Sequence, residues 1–317
     1  MNTEFIAQVR KAVKRECKAR VLENWSRCIG IRVLYTVPFV LLAVIQYLAL
    51  FGRAFSMIVQ GYTDEYRIGL AIMQGMNTVW VVLFLALLIG GPLQYGIMQF
   101  YIRLRRGEKP SVSTLLAPFF SLHSLWTGIK MGCCLAFRAM LWMIGPTVIY
   151  TLAVMSAALR AAVSGRLLSE EALILSWLIY GIVLVLIEIK LLTYHAGWVV
   201  LHDQGEGSVW DASGNASRVF SGQYGKLLVF QLSFFGWHIL RAGIWGLSLG
   251  IAAAGLDILP FGTGMAVFVL ALVAALCLDI VLGSFVTAYV NTSFVGMYEY
   301  LAAPVGAPRF PPEGSEL

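Results

Sequence analysis

Charge is scarce in this chain, and that scarcity excludes a water-soluble fold. Only 13% of the 317 residues are Asp, Glu, Lys or Arg, about half the ~25% of an ordinary soluble domain. By contrast 59% are apolar, and the mean hydropathy is +0.78. Such a chain cannot cover its surface with polar groups, a demand that hydrocarbon does not make. Cysteine is sparse as well: Cys17, Cys28, Cys133, Cys134 and Cys277 form no C-x-x-C and no zinc-like spacing with histidine, so neither a disulfide framework nor a structural metal is expected. Catalytic signatures are missing too. There is no H-E-x-x-H, G-x-S-x-G, P-loop or dinucleotide fingerprint, and Ser233 and the pair His195 and His202 beside Asp203 read as local structure or interfacial anchors. No catalytic residue, cofactor or metal is assigned. Strand-like alternation is also absent, which excludes a β-barrel.

What remains is a set of continuous apolar runs: Val33 to Phe51, Thr78 to Ile102, Thr127 to Leu159, Ala172 to Leu201, Leu227 to Leu256 and Gly264 to Ser293. Several exceed the ~20 residues that cross ~30 Å of hydrocarbon, so tilting, kinking or projection into water is expected. Gly90-Gly91-Pro92 and Gly145-Pro146 are the expected kinks. The predicted fold is all-α, a polytopic membrane helix bundle of about six spans with interfacial amphipathic helices. Its divisions are a basic N-terminal helix over 1–30, a membrane domain over 31–301 and a disordered Pro-rich tail over 302–317.

In the N-terminal segment Phe5, Val9, Val13, Cys17, Val21 and Trp25 recur every four residues among Arg10, Lys11, Lys14, Arg15 and Lys18. This pattern predicts a basic amphipathic helix with its apolar stripe on an anionic membrane surface; packing on the protein's own loops is the alternative. Its length and charge argue against a cleaved signal peptide. Arg103, Arg105 and Arg106 of the second loop join it as candidate lipid-surface residues, so anionic headgroups at the cytoplasmic face are the expected partner, together with a protein partner in the membrane and no nucleic acid. Loop charge sets the orientation: eight Lys or Arg by Arg32 and four between Arg103 and Lys109, against two each in the first and third loops, place both termini in the cytoplasm of a bacterial inner-membrane protein. Two connections carry their own pattern. Leu115, Leu116, Phe119, Phe120, Leu122 and Trp126 predict an interfacial helix, and Ser208-Val-Trp-Asp211 opens a short amphipathic helix through Ala212, Ala216, Val219 and Phe220 that ends at Gly222.

Three stretches resemble a bacterial membrane family, domain of unknown function 975. They are Gly91-Pro92-Leu93 followed by Arg106-Gly107-Glu108-Lys109-Pro110, then Lys226 to Trp237 after a helix that begins near Asp203, and the close from Ala288 to Leu301 with its Tyr298-Glu299. The resemblance covers about residues 20 to 301. The chain departs from it at Ile179-Tyr-Gly-Ile182, where many members break the span with proline, and at Met297, where Phe is usual. It implies the six-span plan and supplies no catalytic residue. The family is similar in general plan to membrane domains attached to some glycerophosphodiesterases and to proteins near transport or bacteriocin-immunity genes.

Five charges inside the apolar runs are the candidate site: Arg138, Glu188, Lys190, Arg241 and Asp279. Each lies within about 8 Å of the midpoint of its run at 1.5 Å per residue, where an ion facing lipid costs at least ~2.5 kcal/mol. Mutual pairing in the bundle interior is expected, with Arg138 and Arg241 neutralising Glu188 and Asp279, Arg241 with Asp279 first because consecutive spans neighbour one another. One cation is left over, an invitation to an anionic ligand. The small-residue series Gly243, Gly246, Gly250 and Ala254 marks a close helix approach. Two functions compete: a non-catalytic scaffold, accessory or immunity-type protein, and a transporter or lipid-handling protein with a midplane polar cavity.

The orientation is checked by single cysteines. Those at positions 60 and 164 should label from outside, and those at 109 and 314 only after permeabilisation; the reverse pattern contradicts it.

Overall fold

A computed structural model describes residues 3–60, 65–164, 170–205, 207–258 and 260–303; the Pro-rich tail from Pro304 lies outside the described residues. The described chain consists of helices and no strand: α1 Thr3–Glu23, α2 Trp25–Val59, α3 Glu65–Arg105, α4 Leu122–Ser164, α5 Glu170–His195, α6 Gly197–Gln204, α7 Val209–Val219, α8 Tyr224–Leu232, α9 Phe235–Ile258 and α10 Phe261–Ala302. Five helical stretches are long and apolar enough to cross a membrane, and a sixth crossing results if α8 and α9, bent by 45° at Ser233, are counted as one. The chain is thus a multi-pass membrane helix protein.

Two compact units share the chain, one formed by the segments up to Ile129 and from Gln231, the other by Lys130–Phe230. In the first, α9 packs along α10, α2 along α3, and α10 also touches α1, α2 and α3. In the second, α7 packs on α5 and α6.

Length dictates how the long helices are used. With 41 and 42 residues, α3 and α10 run about 60 Å at 1.5 Å per residue, twice the thickness of the hydrocarbon. Each divides accordingly. On α3 the exposed large apolar side chains lie between Tyr66 and Leu87, and Leu93, Ile97, Met98, Phe100, Tyr101, Ile102 and Leu104 are buried; on α10 the exposed ones lie between Met265 and Val281 and burial runs from Phe285 to Tyr300. In the second unit α5 is exposed from Ile174 to Leu186, after which Ile187 and Ile189 are buried and α6 contributes Trp198 to Leu201 to the core. One section of each helix presents hydrocarbon-compatible surface, and the remainder builds a protein core.

Two expectations are corrected and a third is narrowed. Gly90-Gly91-Pro92 and Gly145-Pro146 leave their helices unbroken: α3 and α4 run through both. In α3 the glycine also serves contact, whereas nothing lies within 4 Å of a Cβ on Gly145. A Cβ on Gly91 would overlap the Gly128 carbonyl, one on Gly128 would come within 2.7 Å of the Pro92 Cα, and one on Gly96 would overlap the Leu115 carbonyl, so backbones meet where side chains are absent. The segment after Ser111 is two 3-10 turns, Val112–Leu115 and Ala117–Phe120, followed directly by α4; Leu115 is buried while Phe120, Leu122 and Trp126 are exposed. The apolar stripe of α1 does not face lipid. Val9, Val13, Cys17 and Val21 are buried in a helix packed on α10, α3 and α2, because a stripe that fits a protein groove is desolvated there as fully as in lipid. The short amphipathic helix stands where expected as α7, with Ser208 accepting a bond from the Asp211 amide, Ala212, Ala216 and Phe220 buried, and Gly222 at φ +72°.

Gly128→Ala should lower stability in detergent by about 2 kcal/mol, since its methyl meets backbone that moves only with its helix. Gly181→Ala, with nothing within 4 Å, should raise it by up to about 1 kcal/mol through helix propensity. Equal unfolding midpoints for the two variants contradict the packing role.

Candidate functional site

Four of the five expected charges fall at or near the edge of the exposed apolar sections, and Arg241 lies inside that of α9, after Ile239 and Leu240. Arg138 follows Phe137, where the main exposed run of α4 begins, Lys190 comes four residues after Leu186, where that of α5 ends, and Asp279 two before Val281, where that of α10 ends. Lys190 thus lies about 6 Å beyond its section and Asp279 about 3 Å inside, at 1.5 Å per residue. Midpoints taken from the apolar runs were displaced, because those runs continue into the buried sections.

In the first unit Arg241 and Asp279 pair in two contacts, Nε to Oδ1 at 2.8 Å and Nη2 to Oδ2 at 3.1 Å. The guanidinium lies across Gly283, one turn beyond Asp279, where a Cβ would stand 3.2 Å from Nη2. Fork-to-fork geometry satisfies both ions, and glycine provides the space for it.

In the second unit Arg138 and Lys190 are not neutralised by Glu188, which is exposed and, two residues from Lys190, points about 200° away on the helix. Among the described residues no carboxylate forms an ion pair with either cation. Aromatic faces and hydroxyls take that place. The Arg138 guanidinium sits 3.8 Å over the Trp210 ring and 4.5 Å over Tyr194, and donates to the Trp210 carbonyl at 3.1 Å. The Lys190 ammonium donates to the Tyr224 hydroxyl at 2.7 Å and to the Ser217 hydroxyl at 3.1 Å, 5.0 Å from the centres of the Tyr194 and Tyr224 rings. Ring quadrupoles hold both cations without cancelling their charge. Lys190 also lines a groove of about 400 Å³ with Trp142, Leu186, Tyr224 and Leu228.

The candidate lipid-surface residues divide. Lys11, Arg15, Lys18 and Arg103 are exposed, the last 3.9 Å from Glu108. Lys14 is committed to the fold: it donates to the Ser233 carbonyl at 3.2 Å and hydroxyl at 3.0 Å, and lies 4.3 Å over the Phe234 ring, so it ties α1 to the bend between α8 and α9. Burial, with Arg10 adding repulsion, lowers its pKa. Arg105 Nη1 meets Glu16 at 2.7 Å and its Nε stands 3.8 Å from Glu299; Arg106 donates to Glu299 at 3.1 Å, and Arg20 meets Glu16 at 2.6 Å while donating to the Arg105 carbonyl. Arg10 is half-buried. A Cβ on Gly296 would come within 2.5 Å of the Arg105 Nε and 2.9 Å of Val13, so α10 is bare where α1 and Arg105 cross it.

Glu16, Gly283 and Gly296 were not singled out from the sequence, and Glu299 only as part of the closing motif. The signal was present for Glu299: an Arg-rich loop and a closing Tyr298-Glu299 carry opposite charge at the C-terminal ends of two spans that, in a six-span plan, run in the same direction. Among the described residues no group of three or more His, Cys, Asp or Glu is placed to hold a metal ion.

Residues 7–303 match the family model described as "Protein of unknown function (DUF975)", and the chain belongs to that family. No curated protein and no solved structure matches it.

Arg241→Ala should destabilise the protein in detergent by about 2 kcal/mol, and adding Asp279→Ala should recover part of the loss by removing the orphaned carboxylate; additive losses contradict the pair. The network on α1 has its own reporter, Cys17. Burial pushes this thiol up to about 11, so at pH 8 it is protonated as well as shielded. Glu299→Ala should accelerate its maleimide labelling by about tenfold, the effect of about 1.4 kcal/mol of lost docking. An unchanged rate means that the network does not hold α1.

Proposed function

We propose that this chain, as a member of a family without an assigned activity, is a non-catalytic accessory or scaffold protein of the bacterial inner membrane with both termini in the cytoplasm. The observation that carries the reading is the network of Glu16, Arg20, Arg105, Arg106 and Glu299 joining α1, α3 and α10. These charges hold helices together, as a scaffold requires, and the Arg241–Asp279 pair is likewise closed on itself rather than open to a substrate.

Beside this network Lys11, Arg15, Lys18 and Arg103 remain exposed. A basic surface at the end of the spans suits anionic headgroups, at about 1 kcal/mol for each cation near an acidic leaflet, or an acidic protein partner in the same membrane. The unneutralised cations of the second unit favour a second reading, a protein that handles lipids or small anions.

Complementation of a deletion strain separates the two. For the scaffold, a variant carrying Arg241→Met and Asp279→Leu restores whatever phenotype the deletion gives, because an apolar pair of similar volume replaces a structural ion pair. A variant carrying Lys11→Glu, Arg15→Glu and Lys18→Glu fails although it reaches the membrane. The opposite pattern, failure of the first and success of the second, contradicts the scaffold and supports transport.

A further inference from the structure

We infer that the groove beside Lys190 is a binding site for one phospholipid of net negative charge, with its phosphate on the Lys190 ammonium and the Tyr224 hydroxyl and an acyl chain along Trp142, Leu186 and Leu228. It shares no residue with the basic surface of α1.

Depth is the first support. Leu186, at the end of the exposed apolar section of α5, lines the groove together with Lys190 about 6 Å further on. Apolar wall and cation thus follow each other as hydrocarbon and phosphate do in a lipid. Trp142 is itself exposed in the corresponding section of α4.

Chemistry is the second. The Tyr224 oxygen accepts the Lys190 proton at 2.7 Å, so its own hydrogen is directed elsewhere and can be donated to a phosphate oxygen. Gly225, beside Tyr224 in the lining, has nothing within 4 Å of a Cβ position, which leaves the backbone at the mouth open to a headgroup. A volume of about 400 Å³ accommodates a headgroup and the first part of a chain, within the size range of small-molecule sites.

Charge selects among lipids. Arg138 shares the Tyr194 ring with Lys190, so two positive charges stand together with no described carboxylate paired to either. A zwitterionic headgroup would bring a third cation without a counter-ion to receive it, whereas a glycerol headgroup brings none. Two cations held by aromatic faces retain their field, because a quadrupole attracts without neutralising.

The test uses the full chain, delipidated in neutral detergent, with dibrominated phosphatidylglycerol or dibrominated phosphatidylcholine as probe. The quenched signal is the tryptophan fluorescence lost on changing Trp142→Phe. Phosphatidylglycerol should quench Trp142 severalfold more strongly than phosphatidylcholine at equal mole fraction. Lys190→Gln should remove that preference, and Lys190→Arg should retain it. Because Lys190→Gln disturbs a cluster that also packs, its unfolding midpoint without added lipid is compared with that of Lys190→Arg; matched midpoints with a lost preference assign the effect to the charge. Tyr224→Phe, which keeps the ring and removes the donor, provides a second variant and should weaken the preference at unchanged midpoint. Equal quenching by the two lipids overturns the site, as does a preference that survives both Lys190→Gln and Tyr224→Phe. Competition by inorganic phosphate as strong as that by unlabelled phosphatidylglycerol overturns the lipid assignment in favour of a free anion.

Discussion

The hydrocarbon layer supports only about twenty residues of helix, and this protein builds helices of twice that length. Every other feature answers that constraint. Once an apolar helix leaves the lipid it must be covered by protein or expose its side chains to water, and here α3, α5 and α10 are covered. The covering elements are α1 and the 3-10 turns in the first unit and α6 and α7 in the second. Helix α1 is therefore a wall of the core, with its stripe of Val9, Val13, Cys17 and Val21 closing the buried section of α10.

Covering an apolar helix with a basic one brings cations against protein, and their partners make the docking specific. Burial of valines would hold α1 at several registers of similar energy, because hydrophobic contact has no direction. Arg105 between Glu16 and Glu299, Lys14 on the Ser233 carbonyl and Gly296 beneath Val13 select one. The bend between α8 and α9 belongs to the same arrangement: where the helix breaks, the Ser233 carbonyl receives the Lys14 ammonium, and the aromatic series Trp25, Phe285, Tyr289 and Phe234 packs around it at centroid distances of 5.1 to 5.6 Å.

Much of this was legible in the sequence, though unevenly. Apolar runs gave the spans, because transfer into hydrocarbon depends on composition alone. They did not give the ends, since the apolar run continues past Val281 through Phe285 and Val286 to Val290; the change of surroundings is marked there by Ser284, Thr292 and Ser293, small polar residues that are buried. At a Gly-Pro pair glycine can serve helix approach as well as bending, and only a neighbour such as Gly128 beside Gly91 shows the first. The breaks at Ala196 and Ser233 carry no proline and depend on tertiary contacts. Sign and proximity in sequence were enough to match Arg241 with Asp279. The assignment of Glu188 to Arg138 failed because depth says nothing about direction around a helix.

Helices α3, α5 and α10 each change surroundings part-way along, and spin-label scanning of α10 is a direct check. Single labels from 265 to 300 in lipid bilayers, read by collision with oxygen, should show strong accessibility with a 3.6-residue period up to about position 281 and uniformly low accessibility from 283 onward. A lipid-accessible face that continues with the same period to position 300 would mean that α10 does not leave the hydrocarbon part-way along.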